Sequence, residues 1–177
     1  SKIDYKKIPQ DLSFNELNRE LKKTGEIYLS HKIKETGELE LLAIGIGENI
    51  YILENNFSSI SEILSDKKIK KIGYDFKLLI GALRKGGVNL DGLKFDAAIA
   101  AYVLNPGERD YGIEKLSLKE FGESISSEDA IEMLAFKIDI LKRLEPILSA
   151  RLIATETEQI FNDIEMPLIP VLSKMGA

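Results

Sequence analysis

Side chains able to do chemistry are unevenly supplied along this chain of 177 residues. It has no cysteine and a single histidine, His31. Thiolate nucleophiles, thiolate metal sites and disulfides are therefore excluded, and a cytoplasmic setting is expected. No Ser-His-Asp or Cys-His set is available, and the glycines form neither a phosphate-binding loop nor a dinucleotide fingerprint. His31 falls on the core-facing side of its strand, where it is expected to be packed or edge-exposed rather than catalytic. Oxygen and ammonium chemistry remains. The carboxylates of interest are Glu26, Glu35, Asp75, Asp96 and Asp139, and lysines cluster at positions 67, 68, 70 and 71. That cluster reads as a solvated strand flank, with a phosphate contact as the alternative. Asp75 is read as the cap of the helix after it, or as a partner of Lys32 or Lys137. Asp96 is read as an N-terminal helix residue rather than a ligand.

The elements that must position these groups can be read from periodicity. At 44% apolar and 30% charged residues the chain is globular, and its length suits one domain with a sizeable core. Its net charge of -5 argues against a free-standing nucleic-acid binder, though not against a domain tethered to a stronger DNA-binding neighbour. No apolar run is long enough for a membrane span, and no signal peptide opens the chain. Ser13 and Glu16 have capping-box spacing ahead of a helix with Phe14, Leu17 and Leu21 on its apolar stripe. Three short strands follow, over 26–33, 41–47 and 49–53, in an antiparallel meander. A short helix over 58–64 leads to a fourth strand, 68–74, expected to run parallel because a helix precedes it. Leu78, Leu79, Ala82 and Leu83 recur at helical spacing until Gly86 and Gly87 stop the helix. Phe95, Ala98, Ile99, Tyr102 and Val103 read as the stripe of a second helix, closed by Asn105-Pro106-Gly107. The fifth strand is not placed by the pattern. Beyond a helix over 114–121, Ser126 or Ser127 is expected to cap a helix with Glu128 and Asp129 in its first turn. Pro146 is expected to kink or end it. A last helix, about 154–175, is expected to be interrupted by Pro167 and Pro170.

The block from Lys70 to Pro106 resembles the proofreading (3'-5' exonuclease) domain of bacterial family A DNA polymerase I. Ile72-Gly73-Tyr74-Asp75, Phe95-Asp96 and Ala101-Tyr102-Val103-Leu104-Asn105-Pro106-Gly107 carry the likeness without a gap. Farther on, 164–172 (IEMPLIPVL) is similar to the entry into that enzyme's polymerase domain. The resemblance implies an α/β fold of the ribonuclease H type, with a mixed sheet of about five strands flanked by helices. It also implies an exonuclease-like domain over 1–150 and the start of the polymerase connection over 151–177, in a chain cut from a longer protein.

The chemistry implied by the resemblance is two-metal phosphodiester hydrolysis, in which Mg²⁺ or Mn²⁺ is held by several carboxylates. Carried over residue by residue, the ligand positions are occupied by Ser30 and Lys32 on the first strand, Leu79 on the helix after Asp75, and Lys137. Asp75 stands at the family's asparagine and Met133 at its tyrosine. Two lysines, a serine and a leucine thus replace four acids. An ammonium 4 Å from a divalent cation costs ~8 kcal/mol at an effective dielectric of 20. The expectation is a catalytically silent domain with no metal or other cofactor of its own. It would be monomeric, clear of membranes, packed on the polymerase domain of the same chain, and near DNA only through the parent enzyme in replication or repair. The alternative is an active Mg²⁺- or Mn²⁺-dependent exonuclease with ligands relocated to Glu26, Glu35, Asp75, Asp96 and Asp139.

Overall fold

In the computed structural model, residues 6–7 and 14–175 are described, with side chains over 17–170. The strands are β1 (Lys6–Lys7), β2 (Glu26–Ile33), β3 (Leu39–Ile46), β4 (Asn49–Leu53), β5 (Lys70–Gly73) and β6 (Leu93–Asp96). They form one mixed sheet in the order β1-β4-β3-β2-β5-β6. The meander is antiparallel, with Ser30 opposite Ala43 and Ile44 opposite Tyr51. β5 runs parallel to β2, as expected from the helix before it, and β6 runs parallel to β5. The two-residue β1 beside β4 is a strand beyond the five expected.

The helices are α1 (Phe14–Thr24), α2 (Ser61–Ser65), α3 (Phe76–Lys85), α4 (Ala97–Leu104), α5 (Ile113–Phe121) and α6 (Ala130–Ala154). After them come α7 (Glu158–Ile160), a π turn over Phe161–Glu165, and α8 (Met166–Met175). Leu17 and Leu21 of α1 are buried as expected, while the capping box at Ser13 and Glu16 and the side chain of Phe14 lie outside the described residues. The helix expected over 58–64 is a 3₁₀ turn, Phe57–Ile60, followed by α2.

The unplaced strand is β6, and it takes Phe95 out of the helix to which the stripe assigned it. Leu93 and Phe95 alternate with exposed Lys94. Four residues hold too few alternations to outweigh a helical reading of 95, 98, 99, 102 and 103. Gly92 enters the strand at φ 79, where a Cβ would stand 2.6 Å from the Ile69 carbonyl oxygen. Only glycine suits that turn.

The long α6 corrects three expectations. Its N-cap is Asp129, whose Oδ1 accepts from the N–H groups of Ile131 and Glu132, while Ser127 Oγ accepts from Asp129 N–H. The serine thus holds the capping residue rather than the helix. Pro146 does not end α6, because Leu141, Leu144, Leu148 and Leu152 bury one stripe on both sides of it. Pro146 is exposed, so the bond that its missing N–H forfeits faces water. Ala154 closes α6 rather than opening the last helix, and Glu156 turns the chain at φ 60. Pro167 and Pro170 lie within α8 instead of breaking it.

Two apolar layers sandwich the sheet. On one face Leu134, Ala135 and Ile138 of α6 meet Leu41, Ala43, Ile50 and Ile52. The main core joins Ile27, Leu29 and Ile44 to Phe76, Leu79 and Leu83 of α3, and to Leu144 and Leu148 of α6. Phe161, Met166 and Ile169 belong to this core too, and the Phe161 ring sits 5.4 Å from that of Phe95.

Asp96, at the end of β6, ties two helices to the sheet. Its Oδ1 accepts from Ala98 N–H at 2.9 Å and Ile99 N–H at 3.3 Å, capping α4 as expected of an N-terminal helix residue. Its Oδ2 accepts from Phe76 N–H at 3.0 Å, at the start of α3. Burial pushes this carboxyl up to about 6, against the pull of the three N–H donors. Asp96→Ala is expected to cost about 2–4 kcal/mol, one lost cap plus a buried unsatisfied N–H, as read by urea unfolding. A raised carboxyl binds its proton more tightly folded than unfolded. Its stabilising contribution is complete below about pH 4 and declines as pH rises through about 6. The stability gap between the native chain and Asp96→Ala is therefore expected to widen as pH falls from 6 to 4.

Candidate functional site

The register of β2 against β5 builds the site. Tyr28 stands opposite Ile72 in this parallel pair, so two residues on, Ser30 lies beside Tyr74 just past the end of β5. Ser30 is fully buried, and its Oγ shares a 3.0 Å hydrogen bond with the Tyr74 hydroxyl. The backbone N–H of His31 donates to the same hydroxyl at 3.3 Å. The His31 ring stacks on Tyr74 with centroids 4.9 Å apart, and its Nε2 lies 3.0 Å from the Tyr74 carbonyl oxygen. His31 is thus packed, as its strand position predicted. From α6, Lys137 Nζ lies 5.5 Å above the centre of the Tyr74 ring and pairs with Glu114 Oε1 of α5 at 2.8 Å. Tyr74, 6% exposed, is therefore in contact with both Ser30 and Lys137.

Electrostatics follow from that arrangement. Burial pushes the Tyr74 hydroxyl up, opposed by Lys137 and by its own hydrogen bonds. Burial works against the Lys137 ammonium, but Tyr74 and Glu114 outweigh it and hold its pKa above the usual lysine value. Asp75 is open to solvent yet crowded. Desolvation and then the Glu114 charge push its carboxyl up, Lys137 opposes them, and Asp110 adds to the rise.

Asp75 occupies the N-cap position of α3 at φ 48, but its side chain makes no capping bond. In that left-handed conformation the cap is left to Asp96, which reaches Phe76 N–H from the neighbouring strand. The two lysines considered as partners of Asp75 are committed to glutamates: Lys32 to Glu40 across the hairpin at 3.2 Å, and Lys137 to Glu114. Leu79 is completely buried in the main core, and Met133 is half-buried one turn before Lys137. Ser30 and Lys137 are thus brought together around Tyr74, while Lys32 and Leu79 point to other surroundings. The remaining acids are dispersed. Glu26 pairs with Lys94, Glu35 sits exposed in the β2–β3 turn, and Asp139 pairs with Arg143 at 3.3 Å. Among the described residues no three His, Cys, Asp or Glu side chains gather where a metal ion would fit.

The lysine cluster is not wholly a solvated flank. Lys71 is completely buried, because β5 runs between two other strands and turns this side chain inward. Its Nζ donates to the Asp66 carbonyl oxygen at 2.7 Å. Burial brings its amine down to about 8, against the attraction of Asp66 and Asp91.

The family model for the DNA polymerase I, ribonuclease H-like domain matches residues 32–131. The chain belongs to that family. DNA polymerase I of Bacillus subtilis is 30% identical over an alignment 145 residues long that covers 71% of this chain and 16% of the relative. The chain thus spans about a sixth of the length of such relatives. Two solved structures share the fold. One is Escherichia coli RNase D, an exoribonuclease (TM-score 0.80, 17% identity, 96% of this chain and 50% of that one). The other is the POL domain of M. smegmatis Pol1 in complex with DNA primer-template and dNTP (TM-score 0.79, 18% identity, 96% and 31%).

In this ribonuclease H-like domain the groups around Tyr74 do not suit a hard divalent cation, which needs several oxygen ligands of negative charge. Ser30 is bonded to a phenol and Lys137 is a cation, while Leu79, buried in the main core, offers no oxygen. Tyr74 and Glu114 were not singled out from sequence. The place of Tyr74 beside Ser30 depends on the register of β2 against β5, and Glu114 meets Lys137 only through helix packing.

Burial, with repulsion from Lys137 and against the Tyr74 carbonyl bond, brings the His31 imidazole down to about 4. As the only histidine, its ring signals can be assigned directly in an NMR titration. They are expected to stay close to those of the neutral ring from pH 8 to about 5. The unfolded chain takes up this proton near pH 6.5, so the His31 contribution to stability is lost as pH falls from about 6.5 to about 4.

Proposed function

We propose that this chain is a proofreading-exonuclease-type domain of a DNA polymerase I that no longer hydrolyses DNA. It serves as a structural platform for the polymerase domain in replication and repair. The family match and the shared fold support the first half of this reading. Its loss of chemistry is carried by one observation: buried Tyr74 bridges Ser30 and Lys137, two positions where the resemblance expects metal-binding acids. The dispersal of Glu26, Glu35, Asp96 and Asp139 into ion pairs, a turn and a cap supports the same reading over relocated ligands.

On this proposal the domain is monomeric and cytoplasmic and binds no metal or other cofactor of its own. DNA reaches it only through the parent enzyme. Residues 151–177 form the connection toward the polymerase domain, and their Phe161, Met166 and Ile169 anchor that connection on the main core. Among the described residues no helix is long and apolar enough to cross a membrane.

The test is release of nucleotides from a 3'-labelled single strand by the purified chain in Mg²⁺ and again in Mn²⁺. No release above a buffer control is expected; release abolished by EDTA would sink the proposal. Metal binding gained by the Lys32→Glu, Leu79→Asp and Lys137→Asp variant, with the native chain silent, would support the loss of ligands at these positions. Leu79→Asp alone is expected to cost more than about 3 kcal/mol in urea unfolding, since it places a carboxylate in the apolar core.

A further inference from the structure

The lysines at 67, 68, 70 and 71 take no part in the cluster around Tyr74, and their side chains divide between two settings. Lys71 turns inward and is completely buried. Lys67 and Lys70 instead line a hollow of about 330 Å³ between the turn ahead of β5 and the segment after α6. Lys70 Nζ donates to the Lys67 carbonyl oxygen at 3.2 Å, which holds its ammonium close to the Lys67 backbone. Among the described residues neither of these two lysines pairs with a carboxylate, whereas Lys94 nearby is taken by Glu26.

The charges around the hollow leave a positive excess at its mouth. Asp91 is the acid among its lining residues. That carboxylate and Asp66 are both answered from below, because each attracts the buried Lys71 ammonium. Lys68 adds a further exposed cation at the rim. Asn162, Met166, Pro167 and Pro170 on the opposite wall bring no charge, and Asp163 and Glu165 beside them do not line the hollow.

The rest of the surface is apolar. Leu90 and Met166, each 6% exposed, make the floor, and the two proline rings make a wall without N–H donors. The exposed Asn162 amide supplies both donors and an acceptor at the edge. The volume falls at the lower end of small-molecule sites, about 300–1,000 Å³, and is too narrow for a helix about 10 Å across. A bare inorganic ion would leave the apolar half unused. An uncharged apolar molecule would leave two ammonium groups unanswered.

We propose that this hollow binds a small phosphate monoester of nucleotide size. Its phosphate, close to dianionic at neutral pH, lies between Lys67 and Lys70, and its flat ring lies on Leu90, Met166 and the prolines. The site is distinct from the Tyr74 cluster. It opens at the start of β5, and Tyr74 follows the other end of that strand.

Equilibrium dialysis of the chain against radiolabelled adenosine 5'-monophosphate at pH 7.5 and low salt tests the proposal. Lys67→Gln and Lys70→Gln alter exposed side chains, so the fold is retained. Each is expected to weaken binding about fivefold and the pair to abolish it, with Lys68→Gln, outside the hollow, unchanged. Asn162→Trp fills the hollow and is expected to block the ligand. Added salt is expected to weaken binding, and inorganic phosphate to compete only at concentrations about tenfold higher or more. Absence of saturable binding at millimolar nucleotide overturns the site. Binding that survives the double lysine change or Asn162→Trp overturns it too, since the nucleotide then sits elsewhere. Competition by inorganic phosphate at equal concentration also overturns it, leaving an adventitious ion only.

Discussion

The Asp96 carboxylate supplies acceptors to two helix starts at once, and much of the fold depends on that bifurcated duty. Helices begin with backbone N–H groups that have no partner inside the helix, and burying them unpaired is costly. At the end of β6, one oxygen serves α4 and the other serves α3, which enters from the neighbouring strand. The same group thus fixes the angle at which both helices leave the sheet. Burying a carboxylate so deeply opposes its charge, and the raised pKa measures the conflict between desolvation and three donors. With Asp96 in this role, Asp75 is left to form the left-handed corner between β5 and α3 without capping.

That corner is also what places Tyr74. The residue lies between Gly73, which ends β5, and Asp75, whose positive φ swings the chain into α3. Its ring is stacked on His31, its hydroxyl is held by Ser30, and a lysine sits over its face. Each of these contacts suits a closed, packed cluster. Lys137 keeps its charge because Glu114 and the ring answer it, and His31 stays neutral because burial forbids a second cation nearby. The cluster is a polar network satisfied from within, which is how buried polar groups contribute rigidity rather than strain.

The segment after α6 belongs both to the core and to the surface. Phe161 meets Phe95 of β6, and Met166 and Ile169 join the main core, while the other side of the same element shows aliphatic groups to solvent. An element apolar on two sides is stable in isolation only because one side is firmly packed. The π turn lets it serve both faces, since it changes the phase between the buried residues and the exposed ones.

Long, strongly periodic stretches were legible from the amino-acid order alone. The meander, α3, the buried stripe of α6 and the mixed sheet all follow from apolar spacing, and the family likeness lies in contiguous residues such as Phe95-Asp96 and 101–107. Short or ambiguous stretches were not. Four residues of β6 could not outvote a helical stripe, and Pro146 was overruled by burial on both sides of it. The site divided in the same way. His31 and Asp96 follow from their own strand and helix positions, because alternation and capping are local. The bridge from Ser30 through Tyr74 to Lys137 and Glu114 was decided only by the tertiary structure. It needs the register of two strands 44 residues apart and the approach of α5 to α6, and neither is encoded in the spacing of any single segment.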